Sequence, residues 1–276
     1  YLGMGDKMSL KWDHEKILYE KDSHVAIITK NRPDKLNAMD QEMMDAYYEA
    51  IEDAENDDDV RVIVITGIGK GWHPGADPEM FRKGTASMKK GNLPAWTRPP
   101  ASNPQLNAIR NSGKIFIAAV NGYAYGAGFG DALWCDLRII AQSAKLGPVW
   151  AKFAAPLENA TSATLTTIVG PAKALELYLL REPIGADYAL ELGLANWVVP
   201  DDELMDFTLN MAKKIAQNSP YATALSKWMI YKQASPNADE HVELYRIAES
   251  ITSLTEDSKE GGTAFRERRD PDFKGM

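Results

Sequence analysis

Three short stretches, His24 to Thr29, Arg61 to Thr66 and Ile115 to Asn121, are nearly continuous runs of apolar and β-branched residues between polar or glycine-containing turns. Such runs fit strands buried on both faces, and Leu137 to Ala141 fits a fourth. Between the first two the period changes. Met43, Tyr47, Ala50, Ile51 and Ala54 fall on one face at helical spacing, and Asp40 stands where its side chain can cap the first turn. Ala160 to Val169 and Ala172 to Leu180 have the same helical character, so strands and helices alternate as far as Pro200 and the fold class is α/β. Beyond Pro200 the pattern becomes helical throughout. Leu204, Thr208, Met211 and Ile215 line one helix, Ser219-Pro220 opens the next, and Ala238 to Leu254 and Lys259 to Arg268 suit two more. This tail has little core of its own and is expected to pack on the first part of the chain or on a neighbouring subunit. The organisation predicted is a core domain over 1–200 and a helical oligomerisation domain over 201–276. Arg82 to Gln105 has no period and reads as a loop around Trp96, either a lid or a plain surface excursion.

Composition narrows the function less than the pattern does. With 31 basic and 39 acidic residues and a net charge of -8, the chain has no basic field for a polyanion, so nucleic-acid binding is not expected. A small anionic ligand remains open, because backbone amides can hold one locally. The single cysteine, Cys135, makes no intrachain disulfide, and no paired Cys/His spacing suggests a metal site. No apolar run reaches the roughly 18 residues of a membrane span. A reducing, cytoplasmic setting without membrane attachment is the expectation.

Candidate chemistry lies in two glycine-containing segments, each just after an expected strand: Gly71-Trp72-His73-Pro74-Gly75-Ala76-Asp77 and Gly122-Tyr123-Ala124-Tyr125-Gly126-Ala127-Gly128. Small residues let a substrate approach the backbone, and a helix starting near Ala127 would aim N–H groups and its positive dipole end at that substrate. That is the make-up of an oxyanion hole; a pair of tight turns is the plainer alternative.

Taken together the segments resemble the crotonase (enoyl-CoA hydratase/isomerase) superfamily, over nearly the whole chain. Asn31-Arg32-Pro33-Asp34-Lys35-Leu36-Asn37-Ala38-Met39 is similar to the family's CoA-proximal signature. Thr66-Gly67 with Gly75-Ala76-Asp77 matches its first oxyanion loop, and Val120-Asn121-Gly122-Tyr123-Ala124 with Cys135-Asp136 brackets the second. The resemblance implies a spiral of ββα units with a C-terminal helical trimerisation domain, assembled as a homotrimer or a dimer of trimers. It implies a thioester carbonyl held by the amides of Ala76 and Ala127. CoA would belong to the substrate, no tightly bound cofactor would be needed, and CoA would lie along Lys35, Leu36 and Ala38, with Gly75, Asp77 and Gly126 beside the two amides.

Hydratases of this family use two glutamates as general acid and base on water. Laid against the family without gaps, this chain has Gly130 at the first position and Trp150 at the second. Glycine has no side chain and an indole N–H only donates, so neither can take a proton from water. The resemblance therefore implies something other than a conventional hydratase. One carboxylate, Glu158, falls eight residues beyond Trp150, an offset that carries a functional acid in dienoyl-CoA isomerases and in 4-chlorobenzoyl-CoA dehalogenases. The latter also share the tryptophan and a run similar to Asn159-Ala160-Thr161-Ser162, although they have aspartate where Glu158 stands and their histidine base has no counterpart near Asn103. Trp150 would orient Glu158 or wall an apolar acyl pocket. His73, near Ala76, is a candidate acid, base or carbonyl ligand, with loop packing as the alternative. Asp131, one residue past Gly130 and hence about 100° round a helix, reads as structural. Trp72, Trp96, Trp150 and Phe153 hint at a bulky or aromatic acyl group.

The leading expectation is hydrolysis or C–C or C–X bond cleavage of a CoA thioester, with Glu158 as base or nucleophile. Isomerisation of an enoyl- or dienoyl-CoA, hydrolysis of a free β-diketone, atypical enoyl-CoA hydration and a non-catalytic acyl-CoA binder are the alternatives.

Overall fold

A strand paired on both edges and covered on both faces has no side to give to water, and the four apolar runs occupy such positions. The computed structural model describes residues 14–77, 79, 109–153, 157, 161–231, 251 and 254–276. Its larger sheet has six strands in the order β1 (Ile17–Asp22), β2 (Val25–Lys30), β3 (Val62–Gly67), β5 (Ile115–Val120), β7 (Leu137–Ala141), β10 (Trp197–Val199). β1 and β2 form an antiparallel hairpin, and all other neighbours are parallel. Val62 to Ile65 in β3 and Phe116 to Val120 in β5 are 0% exposed, which is why their sequences carry no alternation. β3, β5 and β7 each run on into a short strand of a second sheet, ordered β4 (Gly71–His73), β6 (Tyr123–Tyr125), β8 (Lys145–Gly147), β9 (Ile184–Gly185). Each turn of chain thus lays one long strand in the first sheet and one short strand in the second, which is the expected spiral of ββα units. Strands of two or three residues are too short for a hydrophobic period, so the second sheet has no signal in the pattern of residues.

Successive turns of the spiral stack closely. The Tyr123 amide donates to the Lys70 carbonyl at 3.0 Å, and Gly122 lies so near that carbonyl that any Cβ there would run into it.

The helices follow their expected signals. Asp40 accepts from the Met43 amide at 2.9 Å and caps α1 (Gln41–Asn56), whose buried face is Met43, Ala46, Tyr47, Ala50, Ile51 and Ala54. α2 (Ala127–Trp134) follows β6, and α3 (Thr161–Leu180) is broken at Gly170 (φ 76°) and Pro171, so the two expected helices are its halves. α4 (Ala186–Glu191) precedes β10. α5 (Leu204–Ala216) covers β2, β3, β5 and β7, so the helical tail begins as a layer of the main sheet. α6 (Pro220–Tyr231) is tied in by Lys227, whose Nζ donates to the carbonyls of Ile109 (2.8 Å) and Lys114 (2.7 Å) and pairs with Asp136 (2.8 Å). The Arg61 guanidinium donates to the carbonyls of Ala216 (2.9 Å) and Phe273 (3.0 Å), beyond α7 (Glu256–Glu267). The helix expected over 238–254 lies almost wholly outside the described residues, and the loop over 82–105 lies wholly outside them. Among the described residues no helix is long and apolar enough to cross a membrane, and no group of side chains could hold a metal ion.

Among the buried charged residues, Lys30 is the most enclosed of those described. Lys30, at the end of β2, is 0% exposed, with Nζ 3.4 Å above the centre of the Trp72 ring and 5.2 Å from that of Tyr47. Among the described residues Nζ has no hydrogen-bond acceptor. Burial pulls its pKa from 10.5 down to about 8, against the opposing attraction of Asp131.

Two outcomes follow from these contacts. Gly122→Ala should lower stability by about 3 kcal/mol through overpacking against a backbone atom, seen as an earlier denaturant midpoint with an unchanged slope. Between pH 8 and 10.5 the unfolded chain holds the Lys30 proton more tightly than the folded one, so stability rises with pH there. Measured against Lys30→Met in denaturant titrations, the wild type should gain up to about 3 kcal/mol across that window, and a pH-independent difference would contradict a buried charge.

Candidate active site

The two glycine-containing segments end against each other. A Cβ on Gly75 would lie 3.7 Å from the Tyr125 carbonyl oxygen and 3.8 Å from the Ala127 nitrogen, so the turn bearing Ala76 meets the first turn of α2. Gly75 has φ 109°, a conformation that a side chain would strain. The Met39 amide donates to its carbonyl (3.0 Å) and the Asp77 amide to the Met39 carbonyl (2.8 Å), so Met39 pairs with Ala76 as in a parallel sheet. In that pairing Ala76 turns its own N–H away from Met39. Ala127 is the first residue of α2, after Gly126 (φ 53°), and a first-turn N–H has no partner within its helix. In the hydrogen bonds of both turns, no described residue accepts from the Ala76 or Ala127 amide. Two N–H groups on adjacent turns, one at the positive end of a helix, can together receive a developing negative charge.

Behind this pair lies His73. It is 2% exposed, its Nδ1 accepts from the Gly75 amide at 3.2 Å, and its Nε2 lies 3.3 Å from a carboxylate oxygen of Asp131. Burial holds the imidazole below its ordinary pKa, more than the Asp131 hydrogen bond raises it. The ring is therefore neutral, with its proton on Nε2 toward Asp131, and both nitrogens are engaged by the protein's own groups. Gly128 and Asp131 are one helical turn apart on α2, on one face. Gly128 abuts the His73 carbonyl, where a Cβ would collide, while Asp131 meets the ring. Asp131, expected to be structural, is the hydrogen-bond partner of this histidine.

The neighbouring face of α2 carries Gly130. A Cβ there would stand 2.5 Å from Thr161 Oγ1 and 3.7 Å from the Trp150 ring. Trp150 is 5% exposed and meets Phe129 edge-on, with ring centres 6.4 Å apart. Thr161 is 0% exposed, and its hydroxyl has no partner among the described residues. Glu158 lies outside the described residues, as do Trp96 and the side chain of Phe153. Trp72 is 0% exposed, donates to the Ile65 carbonyl at 3.2 Å and carries Lys30 on its face, so it belongs to the core rather than to an acyl pocket.

Lys35 ends a short 3₁₀ turn (Pro33–Lys35), and Leu36 (φ 53°) and Asn37 (φ 64°) follow in the left-handed region. Asn tolerates that region; Leu36 is held there by its neighbours. Asn37 is 0% exposed: its Oδ1 accepts from the Arg32 amide (2.7 Å), and its Nδ2 donates to the carbonyls of Ile68 (3.0 Å) and Gly71 (2.6 Å). Arg32 donates to the Ala38 carbonyl (3.0 Å) and to Asp77 (2.8 Å), which clamps the loop onto the Ala76 turn. Lys35 and Leu36 are left on the surface beside it.

Sequence reasoning missed Lys30, Thr161 and the pairing of His73 with Asp131. No short-range signal marks them. A strand-end lysine reads as solvated, and the histidine and aspartate belong to different turns of the spiral. Asn37 could have been found, because two adjacent left-handed residues need a polar side chain to fix them.

Comparison with known proteins agrees with this architecture. The family model described as enoyl-CoA hydratase/isomerase matches residues 20–276. The short-chain-enoyl-CoA hydratase of Clostridium acetobutylicum is 33% identical over 255 residues, covering 92% of this chain and 95% of that protein. The (E)-benzylidenesuccinyl-CoA hydratase of Thauera aromatica is 34% identical, covering 94% and 99%. Among solved structures, an enoyl-CoA hydratase/isomerase from Mycobacterium paratuberculosis superposes with a TM-score of 0.81 at 29% identity, covering 95% of this chain and 99% of that one. With the spiral fold, the two apposed turns and these relatives in agreement, the chain belongs to the enoyl-CoA hydratase/isomerase family, within the crotonase superfamily.

Proposed function

We propose that this chain is an acyl-CoA enzyme that holds the thioester carbonyl between the amides of Ala76 and Ala127 and works without the paired hydratase glutamates. The observation that carries this reading is the surroundings of Gly130, where a Cβ would stand 2.5 Å from Thr161 Oγ1 with the Trp150 ring in ordinary contact beside it. A glutamate at the first position would have to displace the Thr161 hydroxyl, and the second position holds an indole. Removal of a proton beside the carbonyl, or attack on a carbon conjugated to it, drives electrons onto the thioester oxygen, where two fixed N–H donors stabilise them. Glu158 is the single carboxylate assigned to the step, as base or nucleophile, in hydrolysis or in C–C or C–X bond cleavage. The nucleotide end of CoA is placed along Lys35, Leu36 and Ala38, and the reacting end beside Gly75, Asp77 and Gly126. Trp150 at the second position favours a flat or bulky acyl group.

The names of the relatives favour a second reading, atypical hydration of an enoyl-CoA. In it, water is activated by groups other than residues 130 and 150. We also assign a homotrimer or dimer of trimers, supported by Leu175, Leu179 and Leu180, which are 59%, 63% and 59% exposed on α3.

A panel of saturated, enoyl-, β-keto- and aryl-CoA thioesters, assayed for free CoA, for hydrated product and for acyl-group loss, separates the readings. Glu158→Gln should cut turnover by about a hundredfold or more with little change in thioester binding. Turnover that survives the substitution removes Glu158 from the step, and hydrated product as the only output selects the second reading.

A further inference from the structure

Gly75 can rotate freely by itself, so its φ of 109° is set by the two peptide planes that flank it. The plane after it carries the Gly75 carbonyl and the Ala76 N–H, and is pinned from one side by the Met39 amide. The plane before it carries the Gly75 N–H, and is pinned by Nδ1 of His73 at 3.2 Å. Remove the second pin and the Ala76 N–H is held from the Met39 side alone, with the Gly75 φ bond no longer fixed from the other side. A histidine can serve as that pin only in the tautomer whose bare lone pair is on Nδ1. Asp131, 3.3 Å from Nε2, selects it by accepting the Nε2 proton. The buried Lys30 cation opposes a second proton on the ring. Gly128, one turn before Asp131 on the same helix, sets α2 directly against the His73 backbone. The donor at the start of α2 and the donor on the Gly75–Ala76 turn are thereby fixed by one helix.

We infer that His73 is a positioning residue: held by Asp131, it accepts the Gly75 N–H and so aims the Ala76 N–H at the substrate oxygen. The residue touches no substrate atom. This rests on the oxyanion reading of Ala76 and Ala127, and extends it with a buried Asp131–His73–Gly75 chain.

The test uses acetoacetyl-CoA, whose bound enolate absorbs in the near ultraviolet and reports the strength of the oxyanion site without any knowledge of the natural substrate. Full-length wild type should raise the enolate fraction above that in buffer; no rise would overturn the oxyanion reading and this inference together. His73→Phe should lower the enolisation constant by about tenfold or more, with affinity for CoA itself within about twofold. His73→Asn, whose side-chain oxygen can take the place of Nδ1, should keep enolisation within about threefold of wild type. Asp131→Asn, which frees the tautomer, should lower it at least about threefold. Folding of each variant is checked by circular dichroism. Wild-type enolisation in the Phe variant would overturn the inference alone, leaving the oxyanion reading standing. So would equal loss in the Phe and Asn variants, or enolisation and CoA affinity falling in step, since either marks plain packing.

Discussion

A backbone N–H cannot be aimed by its own side chain; it points wherever its peptide plane is held. A site built from two such groups therefore depends on everything that fixes those planes. Here the planes belong to two consecutive turns of the spiral, and the second sheet exists largely to hold them side by side. β4 and β6 are only three residues each, yet their pairing sets the turn after β4 against the helix after β6. Arg32, Asn37 and Met39 pin the first turn from one side, and α2 presses on it from the other.

α2 serves three demands with neighbouring faces. Its N-terminus presents the Ala127 amide, the face with Gly128 and Asp131 backs the His73 strand, and the face with Gly130 admits Thr161 and Trp150. The glycines are what allow an eight-residue helix to be surrounded so closely. On the face with Gly130, any side chain would have to displace the Thr161 hydroxyl.

Much of the fold could be read from the residues because β2, β3, β5 and β7 are buried on both faces and so appear as unbroken apolar runs. α1, the two halves of α3 about Gly170–Pro171, α5, α6 and α7 were legible from caps and period, whereas α4 was not. The short strands were not, since their pairing comes from the stacking of turns and not from their own composition. At the candidate site, the two turns that meet were legible as glycine-containing segments, while the choice of the Ala76 and Ala127 amides came from the family resemblance. The His73–Asp131 pair behind them was not legible: a histidine and an aspartate on different turns meet only once the spiral is wound. Lys30 was hidden for the opposite reason, being a charged residue where burial is least anticipated.

The threefold attachment of Lys227 bears on the order in which the molecule can form. Its ammonium satisfies the carbonyls of Ile109 and Lys114, at the entrance to a central strand, and neutralises Asp136 at the entrance to the next. Until residue 227 has left the ribosome, the two carbonyls lack the Lys227 donor and Asp136, held by the Phe116 amide, lacks its counter-charge. Contacts between groups so far apart in the chain close late and slowly. The nascent spiral should therefore remain dependent on its last quarter, and a chain halted before α6 should be one that chaperones hold and proteases find.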